Sequence, residues 1–141
     1  MISNSRIATI LRIDAALCFA CGLPGLLAPA WLAGFLLPQQ GTVLGLPAAT
    51  VLWELGILLV AYAGLLLLAA VKPGLDRPVL LISAVADAGW VLGTLALVAL
   101  FPASFSGWGI VALAVVALDT GLLGLWKLRW LRGNSSQPLA A

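Results

Sequence analysis

Four long stretches of the chain consist almost entirely of apolar residues, and prolines, glycines and polar residues separate them. A helix needs roughly 20 mostly apolar residues to cross about 30 Å of hydrocarbon at 1.5 Å per residue. Each stretch is long enough, and each is a continuous apolar run rather than the alternating pattern of a membrane β-strand. The pattern therefore predicts four membrane-spanning helices, at 7–28, 49–71, 79–101 and 108–126.

The four spans and their connections are predicted to form an all-α, polytopic bundle over residues 1–132. The segment 29–38 carries Trp31 and Phe35 but is too short to cross a bilayer, so we predict that it lies along the outer interface. The polar tail 133–141 is predicted to be a disordered cytoplasmic extension.

All seven basic residues fall on one side of the predicted spans. The connections 29–48 and 102–107 contain no charged residue. Short loops rich in Lys and Arg stay in the cytoplasm, so both termini are predicted to be cytoplasmic and the two uncharged connections to face outward. The basic residues are Arg6, Arg12, Lys72, Arg77, Lys127, Arg129 and Arg132.

The start of the chain also allows a second interpretation, a cleaved signal peptide. Arg6 precedes an apolar run that ends at Ala28. Against cleavage, Arg12 and Asp14 interrupt that run, and a proline follows the small residue at its end. We therefore expect the first span to be a retained helix.

Composition excludes the soluble classes of protein. Hydrophobic residues make up 63% of the chain and charged residues 9%, with a mean hydropathy of +1.17. A soluble domain carries about 25% charged residues, because its surface faces water. The net charge of +2 is too small to indicate a nucleic-acid partner. The chain has no histidine, which excludes His-ligated haem or zinc, and we expect no cofactor and no metal.

Four acidic residues lie within the predicted spans: Asp14, Glu54, Asp87 and Asp119. Each costs about 2.5–3.5 kcal/mol at the centre of a membrane helix, so each calls for a partner or a role. The three aspartates lie roughly 10–14 Å from the cytoplasmic ends at 1.5 Å per residue, and we expect them to meet in the inner half of the bundle. Glu54 lies near the outer face and belongs to a different environment.

The third span places polar side chains on one helix face. Ser83, Asp87, Trp90 and Thr94 follow i, i+4, i+7, i+11 spacing. Arg12 is the only basic residue that the predicted span limits put near this depth. The carboxyl groups are therefore expected to be neutral, to bind a cation, or to pair with Arg12 from another helix. Two roles stay open for them: hydrogen bonds that only join helices, or a site for a proton, cation or ligand.

Cys18 and Cys21 form a C-x-x-C motif on the first span. In a soluble redox protein this spacing indicates dithiol chemistry. Here both thiols fall near the middle of the bilayer, where an apolar environment makes the reactive thiolate scarce. We interpret them as small packing residues and keep redox or soft-metal chemistry as the alternative.

Part of the first half of the chain resembles small bacterial four-helix membrane proteins of the DoxX-like type. The resemblance lies in the 11–16 opening, in the 25–29 sequence GLLAP followed by 31–33 WLA, and in 55–59 of the second span. It implies a four-helix bundle in the bacterial inner membrane. It implies no functional residue, because many such relatives have no assigned activity.

These observations favour a non-enzymatic integral membrane protein, an accessory or scaffold subunit, although an enzyme is not excluded. Its partners would be the lipid bilayer and either further copies of itself or a larger membrane complex. One alternative is a small transporter or ligand-binding protein that uses Asp14, Asp87 and Asp119. A second alternative is a membrane thiol oxidoreductase that uses Cys18 and Cys21.

Overall fold

The structure, a computed structural model, describes residues 2–37, 42–43, 45–72 and 74–133. It is all-α, as the sequence predicts, apart from a two-stranded antiparallel hairpin in which Thr42 pairs with Pro47 and Val43 with Leu46. Gly45 adopts a φ of 82° at the turn, a conformation that glycine reaches without strain. The helices are α1 (Ile2–Leu27), α2 (Pro29–Leu36), α3 (Ala48–Val71), α4 (Asp76–Leu100) and α5 (Gly107–Gly133), with one 3-10 turn at Pro102–Ser104.

Four of these helices are long and apolar enough to cross a membrane, with mean hydropathies of 1.7 to 2.3 in their most apolar windows. Helix α2 occupies most of the predicted interfacial segment, whose last residue, Pro38, lies outside the described residues. Helix α5 continues beyond the predicted limit at residue 126 and ends at Gly133. It therefore includes Lys127. The rest of the predicted tail, 134–141, lies outside the described residues.

The four long helices form two closely packed pairs, α1 with α3 and α4 with α5. Glycines allow the close approach of α1 and α3. A Cβ atom added at Gly56 would lie 2.7 Å from the Leu26 nitrogen and 2.8 Å from the Gly22 carbonyl oxygen. A Cβ atom at Gly25 would lie 2.7 Å from the Leu52 carbonyl oxygen. The α1 and α3 backbones are thus in direct contact, as small residues allow in helix pairs.

The hydrophobic core lies at one end of the bundle, where α1 and α4 begin and α3 and α5 end. We call this the basic end, because Arg6, Lys72, Arg77 and Arg132 are there. Residues from α1, α3 and α4 are fully buried in it, and Trp130 of α5 packs against them. The core residues are Ile7, Ile10, Leu11, Ala15, Ala63, Leu66, Ala69, Val79 and Leu80.

At the opposite end, Ser106 joins α2 to the start of α5. Its backbone N–H donates to the Leu36 carbonyl oxygen at 2.9 Å, and its hydroxyl donates to the Phe35 carbonyl oxygen at 2.6 Å. The Ser106 hydroxyl also accepts a hydrogen bond from the Gly109 N–H at 2.8 Å, the geometry of a helix N-cap. Helix α2 therefore connects the first helix pair to the second at this end.

Replacing Gly56 with alanine should weaken the α1–α3 pair, because the new methyl group meets backbone atoms that have no room to move. We expect Gly56→Ala to lower the free energy of unfolding by about 1–3 kcal/mol, the usual cost of overpacking. Gly64→Ala on the same helix is the matched control, since a Cβ there meets nothing within 4 Å. Unfolding of the purified protein by SDS titration measures both. Equal stability of the two variants would contradict this packing.

Candidate functional site

A buried lysine forms the centre of the site. Lys127 of α5 is 0% exposed, and its Nζ lies 2.5 Å from Asp14 Oδ2 and 2.6 Å from Asp87 Oδ2. It also donates a hydrogen bond to the Ser83 hydroxyl, which in turn donates to Asp14 Oδ2 at 3.0 Å. An ammonium group has three N–H donors, and here each donor has an acceptor. We call Asp14, Ser83, Asp87 and Lys127 the lysine cluster.

Helix geometry explains why these side chains meet. Ser83 and Asp87 are four residues apart on α4 and therefore lie on one face. Gly124 of α5 faces Asp87, and a Cβ there would lie 3.2 Å from the Asp87 Cβ, so the glycine permits a close approach of the two helices. Helical side chains incline toward the N-terminus, which directs the long Lys127 side chain away from the basic end and into the bundle. Asp14 approaches from α1.

The lysine cluster connects the two helix pairs. Helix α1 makes few contacts with α4 and α5 compared with its contacts with α3. Asp14 nevertheless shares the Lys127 ammonium with Asp87, so one ionic contact joins α1 to both helices of the other pair. Isolated buried charges are expensive, and removing one partner of a buried pair typically costs 3–5 kcal/mol. Each charged group of the lysine cluster therefore needs its partners in order to stay buried and ionised.

Of the three states left open for the carboxyl groups, the pairing with Arg12 is wrong, because a different base contacts them. Arg12 is exposed, and Lys127 contacts the carboxylates instead. Lys127 also cannot count among the loop charges that indicate orientation, because it is buried inside the bundle. Six basic residues still lie at the basic end and outside the lysine cluster, so the positive-inside rule still predicts that this end faces the cytoplasm.

A cavity of about 590 Å³ adjoins the lysine cluster between the two helix pairs. Asp14 and Asp87 line it on the side of the cluster, and Leu55, Leu59 and Val116 are among its apolar lining residues. A second cavity, of about 500 Å³, extends toward α2 and shares Leu55, Ala86 and Trp90 with the first. The volume of each falls within the range of small-molecule sites, roughly 300–1,000 Å³.

The structure brings most of the predicted site residues to these cavities. Asp14, Asp87, Asp119, Trp90, Cys18 and Cys21 line the first, and Trp90 and Thr94 line the second. Ser83 is in the lysine cluster. Glu54 is exposed on α3 and lines neither cavity. Sequence reasoning missed Lys127 and Tyr62, although Lys127 continues the i, i+4 series begun by Asp119 and Leu123.

Asp119 is separate from the lysine cluster. It lies eight residues before Lys127, about 12 Å along the helix at 1.5 Å per residue. Among the described residues, its carboxylate has neither a hydrogen bond nor an ion pair, and it lines the cavity that Cys21 also lines. The three predicted aspartates therefore divide into a paired set, Asp14 and Asp87, and one unpaired member.

Two polar atoms near the cavity also lack partners. The Tyr62 hydroxyl oxygen and the Trp90 Nε1 are buried, and neither forms a hydrogen bond within the described part of the chain. Both residues line the first cavity. Both atoms are covered by other groups, so a molecule in the cavity would contact the rings of Tyr62 and Trp90 and not these atoms.

The two cysteines are free and partly buried. The Cys18 Sγ donates a weak hydrogen bond to Asp14 Oδ1 at 3.8 Å, so this sulfur is a thiol rather than the thiolate that redox chemistry needs. No group of three or more Cys, Asp or Glu side chains suited to a metal ion occurs among the described residues. No protein-family model, curated protein or solved structure matches the chain.

Replacing Lys127 with methionine should leave two carboxyl groups without their base. We expect Lys127→Met to lower the free energy of unfolding by about 3–5 kcal/mol. Lys72→Met is the control, because Lys72 is exposed at the end of α3. Adding Asp14→Asn and Asp87→Asn to Lys127→Met should restore most of the loss, since the unpaired charges are then gone. SDS titration of the purified proteins measures all three, and a Lys127→Met protein as stable as wild type would contradict the cluster.

Proposed function

We propose that this chain is a multi-pass membrane protein with four transmembrane helices and cytoplasmic termini, which binds an amphipathic small molecule in the cavity beside the lysine cluster. The observation that carries the proposal is the cavity itself. Apolar side chains from four helices surround it, and a few polar groups converge on it. Such pockets are the usual form of small-molecule sites.

The outer surface of the helices supports the membrane part of the proposal. Large apolar side chains are exposed on every long helix: Leu27 is 77% exposed, Val71 67%, Leu92 67% and Leu118 69%. Soluble monomers rarely expose contiguous apolar patches of more than a few hundred Å². Hydrocarbon is the environment that suits such a surface, and helices satisfy their own backbone groups in it.

Among the alternatives from sequence, the cavity favours the ligand-binding or transport protein over the accessory subunit. An accessory subunit needs outward faces but no internal space, whereas here about 590 Å³ lies between the helix pairs. The thiol oxidoreductase is less supported, because the Cys18 thiol donates a weak hydrogen bond to the Asp14 carboxylate, a contact that favours the thiol over the thiolate. Location in the bacterial inner membrane and kinship with DoxX-like proteins stay predictions from the sequence resemblance.

The proposed orientation is testable with single cysteines placed at Gln40 and at Ser136, in a chain whose Cys18 and Cys21 are replaced by alanine. The positive-inside rule predicts that a membrane-impermeant maleimide added to intact cells labels the cysteine at position 40. The cysteine at 136 should react only after the cells are opened. Labelling of position 136 in intact cells would contradict the proposal, because it would show that this end of the chain faces outward.

Ligand binding is testable with N-phenyl-1-naphthylamine, a neutral, largely apolar fluorophore with one N–H group. We expect a saturable rise in its fluorescence with purified protein, near one molecule per chain. Val116→Phe should weaken it, because Val116 lines the cavity and the larger ring takes up part of the space. Leu118→Phe is the matched control, since Leu118 faces outward on the same helix. Equal fluorescence with wild type and both variants would show that the fluorophore binds only to detergent or to the outer surface of the protein.

A further inference from the structure

Resting on the proposed function, we infer that the cavity selects a lipophilic organic cation, an apolar molecule that carries an ammonium or similar onium group. Asp119 is the carboxylate that would receive the positive charge. The inference depends on the charges that face the cavity, on the aromatic rings that line it, and on the apolar character of its walls.

The charges around the cavity are unbalanced. Three carboxyl groups line it, those of Asp14, Asp87 and Asp119. The only basic group that contacts any of them within the described residues is Lys127, which is fully buried and shared by Asp14 and Asp87. Asp119, which lies about 12 Å before Lys127 on α5, contacts no basic group in the part of the chain that the structure describes. A cationic ligand would supply the missing counter-charge, whereas an anionic ligand would meet only like charge.

Aromatic side chains strengthen the argument for a cation. Tyr62 and Trp90 line the same cavity as Asp119. Their ring faces attract ammonium and quaternary cations by about 0.5–2 kcal/mol where water is absent. A carboxylate together with aromatic rings is thus a set of groups that recognises organic cations.

The same groups do not suit an inorganic ion. Calcium and magnesium need about six oxygen ligands, and half of the residues that line the cavity are aliphatic. The described residues contain no cluster of acids and thiols that would hold a metal. An organic cation does not need six oxygen ligands, because its hydrocarbon part can pack against apolar side chains. Those available in the cavity are Leu55, Leu58, Leu59 and Val115.

Tetraphenylphosphonium and tetraphenylborate test the inference, because the two ions share size and shape but carry opposite charge. Each would be titrated against bound N-phenyl-1-naphthylamine. We expect tetraphenylphosphonium to displace the fluorophore at a concentration about tenfold lower than tetraphenylborate does. Asp119→Asn should reduce this preference to less than about twofold, with both displacement concentrations corrected for the fluorophore affinity of that variant. Glu54→Gln, which changes an exposed acid outside the cavity, should leave the preference intact.

The outcomes separate the inference from the proposed function. If the fluorophore binds but both ions displace it equally, or the borate displaces it better, the cavity is a ligand site and the selection for cations is wrong. If Asp119→Asn keeps the full preference, Asp119 is not the receiving carboxylate. If wild-type protein does not bind the fluorophore, the proposed function itself fails. The comparison of the two ions on wild-type protein needs no variant, so it decides the main point even if Asp119→Asn does not fold.

Discussion

One ammonium group, that of Lys127, contacts both pairs of long helices beside the hydrophobic core that also joins them. It contacts Asp14 on α1 and both Ser83 and Asp87 on α4. In a low-dielectric surrounding this ionic contact is strong. Removing one charged member is costly, because it leaves the charge of its partner buried and unpaired. The relative position of the two pairs therefore depends on a cluster that hydrophobic packing alone would not specify.

The cavity follows from the same arrangement. Glycine contacts bring α1 against α3, and Gly124 brings α5 against α4, but far fewer contacts join one pair to the other. The lysine cluster joins them near that end, and Ser106 with α2 joins them at the other. Between these two connections the pairs separate and leave the space that Trp90 and Tyr62 line. Polar groups at this level are costly in a membrane, which is why we assign them a function.

Much of this architecture could be predicted from the sequence. Hydropathy identified the four long helices, and helical spacing placed Ser83, Asp87 and Thr94 on the buried face of α4. Lys127 was missed because the fourth span was ended at its first basic residue, although Gly124 and the Asp119–Leu123 series continue the inward face to it. Arg12 was considered as a possible partner because of its depth alone. Which charges meet across different helices depends on their relative rotation and height, which one sequence does not determine.

The most direct test of the lysine cluster is solid-state NMR on the protein in lipid bilayers. The chain contains two lysines, Lys72 and Lys127, so a sample with ¹⁵N-labelled lysine and ¹³C-labelled aspartate gives only two ammonium signals. We predict that one of them, absent in Lys127→Arg, is dephased strongly by aspartate carboxyl carbons and not by lipid phosphorus. If both ammonium signals were instead dephased by phosphorus and neither by carboxyl carbon, Lys127 would lie at the membrane surface, and the cluster and the cavity beside it would be contradicted.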